Sequence, residues 1–428
     1  MSKQPTEQRR YENYNYKLTA MAPVHIGTGE EMLPMEYHID VQGQPDKQTK
    51  RIIVPDLEGL FFADPTLAPD FVKNLSTNPD DLGRTFGKLT GNHKIMLGPN
   101  TWNYATCPTN KKGPYLQSFQ HLEQELKNKN GKIRLATKTS DYEVYIPGSS
   151  IKGALRTAWL YQQCLNDENL LQKIAREEKD KFADRVLNEN TLQAGTNPKE
   201  RQDKAFDLFR VLQVGDSQSQ VAEKVLGLVA EKILNARVLL KDKGKTVTAE
   251  FKPSWTFYEA IRNDSEFSGK LTLDVGLLTN SRAVDKMGWN KQQRNFSLAS
   301  LCQAVNQFAK DIVEWEIDYF SHIEQKAEHC EVDKLIAFYQ ELQKEISQSP
   351  ANTIYLSIGH SSGWHKLTVG TLLAKKLSTQ EFTNLRRNFK LDKDHLDFQY
   401  PKTRKLPMVE KYRATRPFGW VKIEFEKV

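Results

Sequence analysis

The stretch IPGSSIKGALRTAW, residues 146–159, puts a glycine turn, two hydroxyls and two cations into one strand-to-helix junction. Ser149 or Ser150 can cap a helix by accepting from an early amide. Lys152 and Arg156, four apart, share one side of that helix. The open amides of a first turn and the helix dipole favour an anion, and phosphate is the natural candidate. An ordinary capped helix with two solvated cations satisfies the same pattern. Gly148 and Gly153 have the glycine spacing of a GxxxxGK[ST] phosphate loop, but Ala154 and Leu155 stand where Lys and Ser/Thr would be needed. Nucleotide hydrolysis is therefore not indicated.

Three further segments carry chemistry. In IGHSSGWHKLTVG, Gly359 and Gly363 let backbone approach a ligand, His360, His365 and Lys366 can meet phosphate, and Trp364 can stack on a base. A tight turn with a core tryptophan explains it equally. In APVHIGTGEE, His25 stands at a strand end before Gly27 and Gly29. It suits a general acid/base, a ligand or a packed structural residue. A metal-free ribonuclease needs a base for the 2′-hydroxyl, an acid for the leaving 5′-oxygen and a cation for the phosphorane. His25 and Lys152 have those types, although no spacing requires the roles. In YPKTRKLPMVEKYRATRPFGW, Lys402, Arg404, Lys405, Lys411, Arg413 and Arg416 form either a phosphate track or a solvated basic surface. His322, His329 and Cys330 resemble metal ligands in type, but a fourth partner is missing and no metal or other cofactor is expected.

The elements that must position these residues read as mixed. Tyr16, Leu18 and Ala20 alternate with polar neighbours, as do Leu271, Leu273 and Val275, and both runs predict strands. Leu208, Leu212 and Val214 suggest another, ARVLLKDKGKTVTAEF two more about a Lys-Gly turn, and GWVKIEFEKV a closing strand. Ile151, Ala154, Leu155, Ala158 and Trp159 give the helix after the first motif an apolar face. Residues 297–347 are helical in pattern, without Pro or Gly. Residues 74–141 look irregular, and 166–205 combine a charged helical stretch with a connection. Strands and helices mix without a regular βαβ rhythm, so the class is α+β.

The 428 residues suffice for two or three domains' worth of core, and the formal charge of +7 permits nucleic-acid partners without requiring them. Four cysteines with no CxxC pair argue against a zinc ribbon or a disulfide framework. No apolar run reaches the roughly 18 residues of a membrane span, and the polar start lacks a signal sequence, so a cytoplasmic, membrane-free protein is expected.

Taken in order, PVHIGTGE, YIPGSSIKGALRTAW, IGHSSGWHKLTVG, PKTRKL and PFGWVKI resemble the RAMP superfamily of CRISPR effector proteins. More narrowly, they resemble the family of the fifth Csm subunit of type III-A interference complexes. The resemblance implies a ferredoxin-like, RRM-related core, two such units, and helical insertions. We expect a tail over 1–15, an N-terminal unit over 16–255, and a C-terminal unit over 256–428 with the helical segment 297–347 and the glycine-rich loop 359–370. It implies a non-catalytic subunit that caps the 3′ end of the CRISPR RNA and contributes to its maturation in antiviral defence. Its partners would be crRNA and other Csm subunits, including the repeated RAMP backbone subunit, and a host ribonuclease recruited for trimming. RNA contacts are expected at His25, Gly27, Gly29, Ser149, Ser150, Lys152, Arg156, Gly359, Gly363, Trp364, Lys366, Lys402 and Arg404. The loop aspartate through which backbone subunits cut RNA has no identifiable counterpart. The alternatives are a metal-independent endoribonuclease using His25, and a scaffold whose helical segment recruits a nuclease.

Overall fold

The computed structural model describes residues 10–42, 49–54, 56, 59, 61–62, 64–77, 102–106, 125–126, 131–193, 204–241, 244–324, 332–391, 399–409 and 413–428. Its strands, in chain order, are β1 (Tyr11–Ala20), β2 (Gly27–Met32), β3 (His38–Gln42), β4 (Thr49–Val54), β5 (Trp102–Thr106), β6 (Ile133–Ala136), β7 (Leu212–Val214), β8 (Leu226–Lys241), β9 (Gly244–Phe251), β10 (Thr256–Ile261), β11 (Glu266–Asp274), β12 (Thr353–Ser357), β13 (Thr403–Pro407) and β14 (Trp420–Lys427). His329, Cys330, Lys411 and most of the expected irregular region 74–141 lie outside the described residues.

Alternation builds the first sheet. β1 buries Tyr16, Leu18 and Ala20 and exposes Asn15 and Lys17, the period of a sheet covered on one face. The strand begins at Tyr11, inside the stretch expected to be a tail. The order is β12-β14-β1-β11-β7, every neighbour antiparallel, so the first and last strands of the chain lie side by side. Two helices accompany this sheet. One, Gly148–Asn166, precedes β7 in sequence and buries Ile151, Leu155, Ala158 and Trp159. The other, Leu298–Glu324, follows β11 and packs along β12. The helices meet through Tyr161 and Phe308, ring centroids 4.8 Å apart, and Tyr161 donates to Asp311 at 2.9 Å. Each fully buried aliphatic side chain there contributes roughly 1.5–3 kcal/mol.

The second sheet runs β2-β6-β10-β8-β5-β4-β3. β8 is 16 residues long, enough to pair β10 at Leu226–Glu231, β13 at Glu231–Asn235 and β9 at Leu234–Lys241. The main core spans both sheets and the helices, while Val229, Ala260 and Phe418 form a small separate cluster on the other side of β8 and β10.

The mixed α and β character expected from the sequence is found. The division expected between residues 255 and 256 runs through both sheets, because β10 pairs β8 and β11 pairs β1. The segment 297–347 contains two helices, Leu298–Glu324 and Asp333–Ser347. Leu208 to Val214 is not one strand: Asp207 accepts from the Phe209 amide at 2.8 Å and starts a 3-10 turn before β7. The helix after the glycine-rich loop breaks at Thr368, whose hydroxyl accepts from the Gly370 amide. No helix among the described residues is long and apolar enough to cross a membrane.

Candidate nucleic-acid interface

The first motif already holds an anion, and it belongs to the protein. The Gly148 amide at the helix start donates to Asp216 Oδ1 at 2.7 Å. A Cβ on Gly148 would stand 2.2 Å from the Val214 carbonyl, so only glycine lets the helix begin against that turn. Pro147 is the N-cap residue, and neither exposed Ser149 nor half-buried Ser150 caps the helix as expected. Lys152 and Arg156, both half-buried, also make bonds within the chain. Lys152 Nζ donates to the Leu212 carbonyl at 2.7 Å, and burial lowers its pKa. Arg156 donates to Asp207 Oδ2 at 2.8 Å and Asn188 Oδ1 at 2.7 Å. These bonds tie the helix to the segment entering β7.

The glycine-rich segment makes internal contacts in the same way. The Trp364 ring lies across Gly370, where a Cβ would come within 2.2 Å, and packs edge-on to Tyr400 at 4.8 Å between centroids. The ring is half-buried in these contacts. Lys366 is 6% exposed, lies over the Trp420 ring at 5.6 Å, and is pushed down to about 8 by burial. Beside it Glu316, 1% exposed, accepts from Arg404 Nε at 2.9 and 3.1 Å, with His365 Nε2 against its other edge. The Arg404 guanidinium sits 3.8 Å from the Tyr319 ring centre. Burial alone would raise the Glu316 carboxyl, but the cations around it hold it well below the usual carboxylate range. Lys366 and Arg404 thus belong to a buried charge cluster that joins the Leu298–Glu324 helix, the glycine-rich loop and β13. Lys402 is half-buried, and its carbonyl accepts from the Tyr319 hydroxyl and the Ala236 amide.

What the fold does bring together is glycine-bearing backbone. The His360 amide donates to the His25 carbonyl at 2.7 Å, the Ile358 amide to Gly419 at 2.9 Å, and the Gly419 amide to Pro23 at 2.8 Å. Segments separated by hundreds of residues therefore meet at one end of the second sheet. Gly359, at φ +72°, has no room for a side chain, since a Cβ would lie 2.3 Å from the His25 carbonyl. Ser361, Ser362 and Gly363 take φ values of +65°, −59° and +66°. Alternating signs of this kind turn successive amides toward one side, the pattern of an anion-binding nest.

Beneath the loop, His360 stacks on Tyr258, centroids 4.3 Å apart, and its Nε2 is 2.5 Å from buried Glu231. Arg134, 44% exposed and 3.5 Å from the Glu31 carboxylate, donates to the Tyr258 hydroxyl at 3.0 Å with its guanidinium 5.3 Å from that ring's centre. Exposed Lys405 presents a cation beside the loop, and its carbonyl accepts from the Ser361 hydroxyl. Strand β2, carrying Gly27 and Gly29, is exposed at the sheet edge. His25 itself is 5% exposed, with Nδ1 2.6 Å from the Glu259 carbonyl, and burial pushes it down to about 4. Arg134, Tyr258 and Glu231 had no motif to announce them. Lys405 was visible within the basic run, and the alternation of β13, which buries Arg404, sends it outward.

The profile of the RAMP superfamily matches residues 17–323, most of the chain. The chain belongs to the RAMP superfamily. The match includes the end of β1 from Lys17, the His25 segment and the Gly148–Asn166 helix. Among curated relatives, the chain is 26% identical to the CRISPR system Cms protein Csm5 of Methanocaldococcus jannaschii, over 95% of this chain and 88% of that protein. Two solved structures share the fold. A chain of the cryo-EM Csm-crRNA-target RNA ternary complex of a type III-A CRISPR-Cas system matches at a TM-score of 0.62 and 21% identity, covering 96% of this chain and all of that one. The crystal structure of T. onnurineus Csm5 matches at 0.61 and 18%, covering 95% and 99%.

Proposed function

We propose that this RAMP protein is a non-catalytic RNA-binding subunit of a type III-A CRISPR Csm complex, capping the 3′ end of the guide crRNA and contributing to its maturation. The observation that carries the reading is the convergence of the His25, Gly359–Gly363 and Gly419 segments on one surface. Backbone amides of the loop and the exposed cations Arg134 and Lys405 hold guide phosphates there, with little dependence on sequence. Likeness to Csm5 over nearly the whole chain supports the choice of complex. The first sheet supports a ferredoxin-like unit: β14, β1, β11 and β7 lie in the order fourth-first-third-second, with the Gly148–Asn166 helix among the elements between the first pair in sequence and the Leu298–Glu324 helix among those between the last. Partners in this reading are crRNA, the repeated backbone subunit and the other Csm subunits, and a host ribonuclease would do the trimming.

The test is fluorescence anisotropy with single-stranded RNA across a salt series. Replacing Arg134 and Lys405 by alanine weakens binding and flattens the slope of log K against log salt by about 0.7 per lost phosphate contact. Unchanged affinity and slope would sink the assignment. Maturation is tested by sequencing guide RNA from complexes assembled with and without this chain; identical 3′ ends would remove that role. An endoribonuclease using His25 gains no support from the site, since an imidazole with a pKa of about 4 is a weak base near neutrality. Incubation with precursor crRNA in EDTA should leave the RNA intact. Specific cleavage abolished by His25→Ala would reverse the reading.

A further inference from the structure

His25 is a buried imidazole at this surface whose second nitrogen the fold leaves over. A carbonyl oxygen only accepts, so the 2.6 Å contact with Glu259 requires the proton on Nδ1. Nε2 is then an acceptor. Among the described residues, Glu259 is the ring's hydrogen-bonding partner, and the neighbouring rings of Tyr258 and His360 touch it edge-on at 4.9 and 5.8 Å. Nε2 is directed at Gly27. A Cβ there would stand 2.7 Å from Nε2 and 3.3 Å from Cε1, so any other residue would cover the nitrogen. Gly27 is itself exposed, in edge strand β2. Burial keeps the ring neutral at physiological pH, and the backbone bond fixes which nitrogen is bare.

An obligate acceptor cannot bind a phosphate oxygen, which has no proton to give. That removes His25 from the set of phosphate contacts and asks what donor an RNA offers beside its backbone. The ribose 2′-hydroxyl is such a donor at every nucleotide, and it distinguishes RNA from DNA. We infer that His25 Nε2, uncovered by Gly27, accepts a hydrogen bond from a guide ribose 2′-hydroxyl and so selects RNA over DNA at this surface. The inference rests on the RNA-binding reading above. The contact is one of recognition, and no bond is made or broken.

The probe is oligouridine, in which no exocyclic amine competes as donor. It is compared with 2′-fluoro and 2′-deoxy oligouridine of equal length, the fluoro sugar keeping the ribose pucker while losing the donor. The full chain should bind the ribo form roughly three- to tenfold tighter than the fluoro form, the worth of one hydrogen bond. His25→Phe, which keeps an aromatic ring, and Gly27→Ala, which covers Nε2, should each bring the ribo form down to the fluoro affinity with the salt slope unchanged. A thermal melt identifies either variant that fails to fold, and the other then carries the test. Tight but equal binding of ribo and fluoro forms by the wild type overturns this inference and leaves the RNA reading standing. So does discrimination that survives in the folded variants. Failure to bind any of the three oligomers, alone and in the assembled complex, overturns both.

Discussion

At the residue scale, the conspicuous cations serve the fold and the inconspicuous glycines serve the surface. Arg156 illustrates the first. Its two side-chain bonds to Asp207 and Asn188 are partly solvent-screened, so Arg156→Ala should cost about 1–2 kcal/mol of stability in urea unfolding. The RNA salt slope should stay put, and a flattened slope would return Arg156 to the interface. Lys366 makes the contrast sharper. Burial already disfavours its charge, so Lys366→Met should be tolerated to within about 1 kcal/mol or stabilise the fold, with RNA affinity unaltered. Gly359 illustrates the second. Gly359→Ala meets both a left-handed φ and the His25 carbonyl, so it should destabilise by more than about 1–3 kcal/mol or uncouple the loop, weakening RNA binding even where the protein still melts cooperatively.

At the scale of elements, the loop is held from below by two buried imidazoles. His25 ties it to β10 through Glu259, and His365 ties the helix after it to Glu316. Both rings are pushed down to about 4 from an ordinary 6.5 by burial. The unfolded chain takes up protons below pH 6.5 while the folded chain refuses them until about pH 4. Their stabilising contribution is therefore complete above pH 6.5 and falls away between 6.5 and 4. Glu316, held low by Arg404 and His365, adds a further loss below the usual carboxylate range, near pH 4.5. Unfolding free energies from urea titrations at neutral pH and at pH 5 should differ by about 1–2 kcal/mol per imidazole. His365→Phe should remove about half of the difference, and a pH-independent midpoint would contradict this account of the junction.

At the scale of the whole molecule, the chain closes on itself. β14 lies between β1 and β12, and β11 continues the sheet on the other side of β1. Separating the chain after residue 255 removes both partners of β1, and β10 and β13 from beside β8, at once. Fragments 1–255 and 256–428 should each fail to unfold cooperatively, and should regain a common melting transition only when mixed. A folded 1–255 fragment would restore the division expected from the sequence. The pairing across residue 255 was not legible because hydrophobic alternation announces a strand but not its neighbour. Pairing between residues hundreds of positions apart is settled by burial of the faces they complete.

What the sequence determined by itself follows from local rules. The alternation at Tyr16, Leu18 and Ala20, the apolar face of Ile151 to Trp159 and the helical run after residue 297 each report a period that one element imposes on its own residues. The order of motifs was enough to indicate the superfamily. Tertiary structure alone decided which charged groups meet solvent. Lys152, Arg156, Lys366 and Arg404 have the residue types of a phosphate site, yet each finds a carbonyl, a carboxylate or an aromatic face within the chain. Asp216 supplies the anion that the first motif seemed to await. A side chain's type states what it can bind, whereas its partner depends on which distant backbone the fold carries to it. For this reason Arg134 and the bare nitrogen of His25 emerged only once β6 and β2 were in place around the glycine-rich loop, and Lys405 was singled out from its basic run only by the alternation of β13.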